Sequence, residues 1–138
     1  MELTEERKRS AIERFNALPF ARLIGMRLTD IRPNEAVIEV HARRDLLQPN
    51  GVLHGGVTAT LIDTAMAFAV RTYLTDAEPT ATIDLTVHYL RPIADGKAIC
   101  TARVVRPGKR IFTVSAEVHN DEGKLIATGI STYTRLES

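Results

Sequence analysis

The second half of the chain alternates between apolar and polar residues with the period of two that is typical of β-strands. Residues 80–90 show the clearest alternation, because one face carries five apolar side chains, Ala81, Ile83, Leu85, Val87 and Tyr89. The same period over residues 97–105, 112–119 and 125–133 predicts three more strands. Short runs of Pro, Gly, Asn and Asp separate these segments, so we expect tight turns that join antiparallel strands.

The first half of the chain combines two helical patterns with two short strands. Thr4 can cap a first helix, and Pro19 is expected to end its pattern of apolar residues at helical spacing. Residues 26–31 and 36–41 are strand candidates on either side of a turn at residues 33–34. A longer helix is predicted to begin near His54 and to continue to about Tyr73.

The order of these elements predicts an α+β protein, in which one antiparallel sheet packs against one long apolar helix. A chain of 138 residues fits one domain, which we expect to span residues 1–138. The central helix has so little polar surface that the sheet can cover only one side of it. We therefore expect a second subunit to cover the remainder, which predicts a dimer or a larger assembly.

Charge and cysteine content narrow the possible partners and compartments. The chain carries 18 Lys and Arg residues against 17 Asp and Glu residues, so its overall field would not attract nucleic acid or an anionic membrane. Its one cysteine, Cys100, excludes an intrachain disulfide. The N-terminal segment lacks the apolar core of a signal peptide, and the apolar helix is too short and too rich in Ala and Thr to span a bilayer. We expect a soluble cytoplasmic protein.

Asp63 is the single charged residue between residues 57 and 70. A carboxylate in such an apolar helix is a candidate general base or nucleophile, and a structural ion pair with Arg71 or Arg91 is the alternative. The helix begins with Gly55 and Gly56, whose amides a ligand oxygen can approach closely, because neither residue has a Cβ atom. That helix start could serve as an oxyanion site, or it could be only a tight junction between loop and helix.

The remaining histidines show no spacing that is typical of a zinc site, and we expect no metal. His41, His88 and His119 fall on separate predicted strands. The sequence also contains no grouping of Ser, His and Asp around a nucleophile elbow, and no glycine loop of the types that bind nucleotide phosphates. Asp63 and the glycine turn before it therefore carry the chemistry that the sequence indicates.

The motif formed by Gln48, Gly51, residues 54–56 (His-Gly-Gly) and Asp63 resembles the signature of hotdog-fold acyl-CoA thioesterases of the PaaI-like, phenylacetate-pathway type. The resemblance covers nearly the whole chain, and it implies an antiparallel sheet wrapped around one central helix. It implies an enzyme that hydrolyses acyl-CoA and needs no cofactor, since coenzyme A is part of the substrate. It also implies a homodimer with active sites at the subunit interface, which assembles further to a homotetramer.

The resemblance gives each residue of the motif a role. Asp63 would activate water or attack the thioester itself, and the Gly55 amide would polarise the thioester carbonyl. His54 would shape the helix start and hold the thioester, while Gln48 would hydrogen-bond near the carbonyl or the attacking water. Thr82 would orient water or substrate opposite Asp63. The segment from Gln48 to the glycines of one subunit would face the acidic residue of the other.

Basic residues in the second half of the chain are candidates for binding coenzyme A. The resemblance implies that the pantetheine arm lies beside Tyr89, Leu90 and Arg91, and that phosphate groups contact basic residues such as Lys109 and Arg110. We expect these residues to form one cluster with Arg103 and Arg106. The alternative for each of them is a solvated rim.

Two other functions fit parts of the same pattern. A hotdog hydratase or dehydratase also uses an acidic helix residue and a histidine, although the upstream Gln48 fits a thioesterase better. A non-catalytic module that binds acyl-CoA is the second alternative, but binding alone gives no reason to place Asp63 in an apolar helix. The sequence leaves the acyl group open between aryl, short, medium and long chains.

Overall fold

The computed structural model describes residues 3–75 and 77–136, which form helices and strands in the predicted order. The elements are α1 (Glu5–Asn16), α2 (Pro19–Ile24), β1 (Met26–Arg32), β2 (Glu35–His41), α3 (Gly55–Arg71), β3 (Thr80–Tyr89), β4 (Lys97–Pro107), β5 (Ile111–His119) and β6 (Leu125–Arg135). A short 3-10 helix, Arg44–Leu46, lies between β2 and α3. The predicted strands and the two predicted helices are therefore confirmed.

The six strands form one antiparallel sheet in the order β1-β2-β4-β5-β6-β3. Strands β1 and β3 are its two edges. Helix α3 contacts every strand, so the sheet wraps around the helix as expected. The core lies between them, and the side chains of α3 that are buried there are Thr58, Leu61, Ile62, Ala65, Met66, Ala69 and Val70.

Strand β6 packs closely on helix α3 where two of its inward-facing residues, Gly129 and Ser131, are small. A Cβ atom on Gly129 would come within 2.8 Å of the Ile62 side chain, so only glycine allows this approach. Two residues along the strand, the Ser131 hydroxyl lies 2.9 Å from the Met66 sulfur. The next inward-facing residue is Tyr133, which is 2% exposed. This close packing brings the end of β6 next to the middle of α3.

Helix α1 is tied to strand β1 along one side. The Thr4 hydroxyl caps the helix by accepting a hydrogen bond from the Arg7 amide at 3.1 Å, as the sequence predicted. Lys8 forms a 2.6 Å ion pair with Asp30 on β1, and the Asn16 side chain accepts a 3.0 Å hydrogen bond from a backbone amide of the same strand. These contacts hold α1 across the end of α3.

Helix α2 is missing from the elements predicted above, because Pro19 was expected only to end a helix. In the structure Pro19 does end the first helical pattern, but it is also the first residue of α2. Proline is favoured at that position, since its missing N–H group would have no acceptor within the helix and its fixed φ suits the first turn. Gly25, with a φ of 86°, ends α2.

Strand β3 departs from simple alternation at a β-bulge. In its pairing with β6, Thr82 lies opposite Tyr133 and Asp84 lies opposite Thr132, so Ile83 is the extra residue. Simple alternation predicts that Thr82 and Leu85 lie on different faces of the strand, and this prediction is wrong. The bulge turns Thr82 toward α3, while Leu85 further along the strand still packs against the core. Ile83 is 55% exposed.

None of the described helices is both long enough and apolar enough to cross a membrane.

Candidate functional site

The start of α3 leaves one backbone amide available to a ligand. His54 caps the helix, because its Nδ1 atom accepts a 2.8 Å hydrogen bond from the Gly56 amide. The amides of Val57 and Thr58 donate to the His54 carbonyl at 2.9 and 3.3 Å. Among residues 3–75 and 77–136, no hydrogen bond is donated by the Gly55 amide. Of the amides in this turn, Gly55 is therefore the one positioned to serve as an oxyanion donor.

Tyr89, at the end of β3, packs directly on this helix start. Its hydroxyl donates a 2.6 Å hydrogen bond to the Gly55 carbonyl. A Cβ atom on Gly55 would lie 3.3 Å from the Tyr89 ring, which is tight contact, so glycine suits the close approach of ring and backbone. We call His54, Gly55 and Tyr89 the amide half-site. The cap also sets the state of the His54 ring: Nδ1 accepts, so in the neutral ring the proton is on Nε2.

Asp63 lies two turns further along α3, and two hydroxyl groups hold its carboxylate. Thr82 donates to Oδ1 at 2.9 Å, and Tyr133 donates to the same oxygen. The Tyr133 hydroxyl also lies 2.5 Å from the Asp63 carbonyl oxygen. No described hydrogen bond falls on Oδ2, which leaves that oxygen for chemistry. We call Asp63, Thr82 and Tyr133 the carboxylate half-site.

Tyr133 is a site residue that the sequence reasoning missed. Burial, and then the neighbouring Asp63, hold the pKa of its phenol well above the usual value, so the phenol keeps its proton at neutral pH and acts as a donor. The sequence carried a signal for it. A tyrosine on the buried face of a strand needs a hydrogen-bond partner, and Asp63 is the single charge on the apolar helix that packs there.

The structural alternative for Asp63 was an ion pair with Arg71 or Arg91. Within the described part of the chain, no Lys, Arg or His lies within ion-pair distance of the Asp63 carboxylate. The Arg91 guanidinium instead donates to the Leu125 carbonyl at 2.8 Å. Neutral hydroxyl groups therefore hold the Asp63 carboxylate in place of a cation, and the carboxylate remains able to accept a proton.

The two half-sites are separated within one chain. Gly55 and Asp63 are eight residues apart on the same helix, which corresponds to about 12 Å along its axis. One carbonyl group cannot contact both. Each chain therefore presents two incomplete sites, one at the start of α3 and one at its middle.

Gln48 lies in the turn that precedes α3, and its side chain is engaged in that turn. The side-chain oxygen accepts a hydrogen bond from the Asn50 amide, and the Gln48 backbone amide donates to the Val52 carbonyl at 2.8 Å. The turn continues to Leu53, whose amide bonds the Ile93 carbonyl at 2.7 Å. Gln48 thus helps to shape the loop that leads to His54.

The predicted coenzyme A residues lie at opposite ends of the sheet. Tyr89 is the last residue of β3, and Leu90 and Arg91 follow it; Leu90 is 51% exposed. Lys109 and Arg110 lie in the turn between β4 and β5, close to the start of β3, because the Arg135 amide bonds the Arg110 carbonyl and Arg135 pairs with Thr80. The length of β3, about 30 Å, separates the two groups. One chain alone does not bring them together.

In residues 3–75 and 77–136, no three His, Cys, Asp or Glu side chains lie close enough together to hold a metal ion. Cys100 is fully buried on β4, and burial raises the pKa of its thiol well above the usual range.

A six-stranded antiparallel sheet wrapped around one long helix, with a carboxylate in that helix and glycines at its start, defines a hotdog-fold protein. Known proteins agree with this class. Human acyl-coenzyme A thioesterase 13 is 33% identical over 113 residues, which cover 80% of each chain. The medium/long-chain acyl-CoA thioesterase YigI of Escherichia coli K12 is 30% identical over 132 residues, 84% of each chain.

The solved structures agree as well. That of the phenylacetic acid degradation protein PaaI from Thermus thermophilus superposes with a TM-score of 0.79 and is 32% identical, covering 86% of this chain and all of that one. The chain belongs to the Thioesterase superfamily, whose family model matches residues 50–127. The resemblance to hotdog thioesterases is thereby confirmed, and with it the enzyme class of thioester hydrolase at the level of the family.

Proposed function

We propose that the protein hydrolyses acyl-CoA thioesters to a free acid and coenzyme A. The observation that carries the proposal is the state of Asp63, a half-buried carboxylate held through Oδ1 by the hydroxyls of Thr82 and Tyr133. Such a group can accept a proton or attack a carbonyl carbon. The Gly55 amide supplies the oxyanion donor that the same reaction needs. The names of the human and bacterial relatives support coenzyme A as the thiol.

In the proposed reaction a water oxygen attacks the thioester carbonyl carbon, and Asp63 takes the proton from that water. The carbonyl oxygen becomes an oxyanion and accepts a hydrogen bond from the Gly55 amide. The C–S bond then breaks, and the proton held by Asp63 passes to the departing sulfur. Direct attack by Asp63 would form an anhydride, which water would cleave to the same two products.

The remaining residues of the motif have supporting roles in this proposal. His54 fixes the helix start and directs its Nε2 atom away from the cap, where it can hold the thioester region. Gln48 orders the preceding turn through its side-chain oxygen, and its side-chain NH2 group is the part that would contact the carbonyl or the water. Thr82 holds the Asp63 carboxylate, so it orients the attacking group.

Two copies of the chain complete each site. The separation of about 12 Å between Gly55 and Asp63 means that the amide and the carboxylate acting on one carbonyl come from different chains. Strand β3 offers a place for a second copy, because it is an open edge of the sheet and carries the exposed apolar residues Ile83 and Tyr89. A long apolar edge strand in an isolated chain is a site for pairing with another strand.

Antiparallel pairing of two β3 strands joins the half-sites. If the pairs are centred between Leu85 and Thr86, Tyr89 of one copy lies opposite Thr82 of the other. Since Tyr89 packs on Gly55 and Thr82 bonds Asp63, the amide half-site of one copy then meets the carboxylate half-site of its neighbour. The same pairing brings Arg91 of one copy toward Lys109 and Arg110 of the other, which restores one basic cluster for the phosphates of coenzyme A.

An assay for the two reaction products tests the proposed function. The purified protein is supplied with acyl-CoA and enoyl-CoA substrates in parallel, and free thiol and loss of the enoyl double bond are measured. We expect thiol release from acyl-CoA. Hydration without thiol release would assign the chain to the hydratases, and binding of both without turnover would favour the non-catalytic module.

Replacing Tyr133 with phenylalanine is expected to lower kcat/KM about tenfold. The change removes one donor to a charged group, which contributes about 1.5–3 kcal/mol, while Thr82 still holds the carboxylate. Thiol release over a series of acyl-CoA concentrations gives kcat/KM for the variant and for wild type.

Tyr73→Phe is the matched control for this variant. It also removes a phenol hydroxyl, but one that donates to the Asn34 side chain, away from Asp63. An equal loss of kcat/KM in both variants would show that Tyr133 does not act through the carboxylate.

A further inference from the structure

A long groove opens between α1 and the second half of α3. Its volume is about 620 Å³, within the range of roughly 300–1,000 Å³ of sites for small molecules. Its apolar walls include Ala11 and Phe15 of α1, Phe68 of α3 and Ile31 of β1, together with Leu18 and Leu74, which follow the two helices. Phe15 and Phe68 form a T-shaped pair with their ring centroids 4.9 Å apart.

The groove follows the length of α1. Residues at spacings of three to four contribute to the wall, from Leu3 just before α1 to Leu18 just after it, so one face of the helix lines the groove. The Lys8–Asp30 ion pair and the hydrogen bond to the Asn16 side chain hold α1 against β1 at a fixed distance from α3. A helix of this length extends for about 18 Å. The groove is thus suited to an extended chain, and a single ring would fill only part of it.

The inner end of the groove adjoins the carboxylate half-site. Ala67 lines it and lies one turn after Asp63 on α3, which places their Cβ atoms about 6 Å apart. Thr80 also lines it and is two residues before Thr82 on β3, on the same face of the strand. A thioester carbonyl beside Asp63 would therefore direct its acyl group into this groove.

We propose that this groove binds the acyl chain of the substrate and makes extended alkyl chains the preferred acyl group. The assignment rests on the proposed function for the thioester itself. The buried side chains of Phe15, Ile31 and Leu74 form an apolar floor, and Ala67 leaves room at the inner end. The charged residues that also line the groove are Glu6, Arg7, Arg14 and Arg71. An acetyl group would reach only the inner end, beside Ala67, and would not contact the apolar floor.

Binding of two non-hydrolysable analogues tests the groove without any turnover. S-butyl-CoA and S-decyl-CoA are titrated calorimetrically into the intact protein. Each buried methylene strengthens binding about fourfold, and the decyl compound has six more of them, so burial of only two makes it bind at least about tenfold more tightly. In Ala11→Trp, whose indole fills the groove, the ratio should fall below about threefold. Arg9→Trp is the matched control, since Arg9 is exposed on the same helix and lies outside the groove.

A second variant keeps the test decisive if Ala11→Trp does not fold. Ala67→Leu narrows the inner end and should reduce the same ratio. Unchanged ratios in the folded variants would overturn the groove as the acyl site. So would a change in subunit number caused by Ala11→Trp in sedimentation, because the groove would then be a contact between copies.

The two proposals can fail separately. Chain-length-dependent binding without thiol release from acyl-CoA would reject the hydrolytic function and leave the groove assignment standing. Thiol release with the same chain-length preference in wild type, Ala11→Trp and Ala67→Leu would retain hydrolysis and reject the groove.

Discussion

Replacing Asp63 with asparagine is expected to lower kcat by about 10²–10⁴-fold, the range that a positioned acid or base contributes. Asparagine cannot accept the proton of water or attack the carbonyl as an anion. Its side-chain oxygen can still accept the hydrogen bonds from Thr82 and Tyr133, so the local packing should persist. The loss should therefore fall on the rate and spare the fold.

The measurement is thiol release at saturating acyl-CoA, with wild type and variant at equal concentration. Thermal unfolding and sedimentation provide the control, and both should match wild type closely. A variant that hydrolyses its best substrate at the wild-type rate would refute the role of Asp63. If the wild-type protein is equally inactive, the proposed hydrolase activity is refuted.

The Gly55 amide can be tested by a pair of substitutions at one position. Gly55→Pro removes the N–H, whereas Gly55→Ala keeps it, and both add the Cβ atom that meets the Tyr89 ring. We expect the proline variant to be slower than the alanine variant by about 10²–10³-fold, the usual cost of losing one oxyanion donor. Both substitutions add the same Cβ atom, so the ratio of their two rates cancels the steric effect that they share.

Proline is compatible with the backbone at this position. Gly55 is the first residue of α3, where proline is favoured, and His54 before it has φ and ψ of −61° and 134°, within the region that a following proline requires. Circular dichroism should show folded protein in both variants. Equal rates for folded proline and alanine variants would mean that another group polarises the carbonyl.

Mixing the two inactive variants tests whether the site is shared. In a mixed dimer of Asp63→Asn and Gly55→Pro, one of the two sites contains an intact Gly55 and an intact Asp63 from different chains. After subunit exchange, random pairing should restore about a quarter of the wild-type activity. A site contained within one chain would gain nothing from mixing.

The sequence predicted the fold well because the periodicity of the strands and the apolar central helix are local signals. The alternation over residues 97–105 and 112–119 matches strands β4 and β5 closely. Helix α2 was missed because Pro19 has two meanings, a stop for one helix and a favoured start for the next. Local pattern alone does not choose between them.

The candidate site was predictable in its residue types and less so in its contacts. Asp63 and Gly55 stand out in the sequence, but the contact between Asp63 and Tyr133 joins residues 70 positions apart and depends on how closely β6 approaches α3. The division of the basic residues between two ends of the sheet follows from the position of β3 at the edge, beside β6. Strand order of this kind is a property of the whole chain.

The bulge at Ile83 divides β3 into two segments, and the alternation of inward and outward side chains in one segment does not continue into the other. Thr80 and Thr82 precede it, whereas Leu85 and Val87 follow it and pack on the core. A substitution or a small shift in the first segment can be absorbed at the bulge, so it need not change which residues of the second segment face inward. During evolution, the residues nearest the carboxylate could therefore vary with the substrate while the free edge kept its register. Deletion of one residue at the bulge would couple the two segments again.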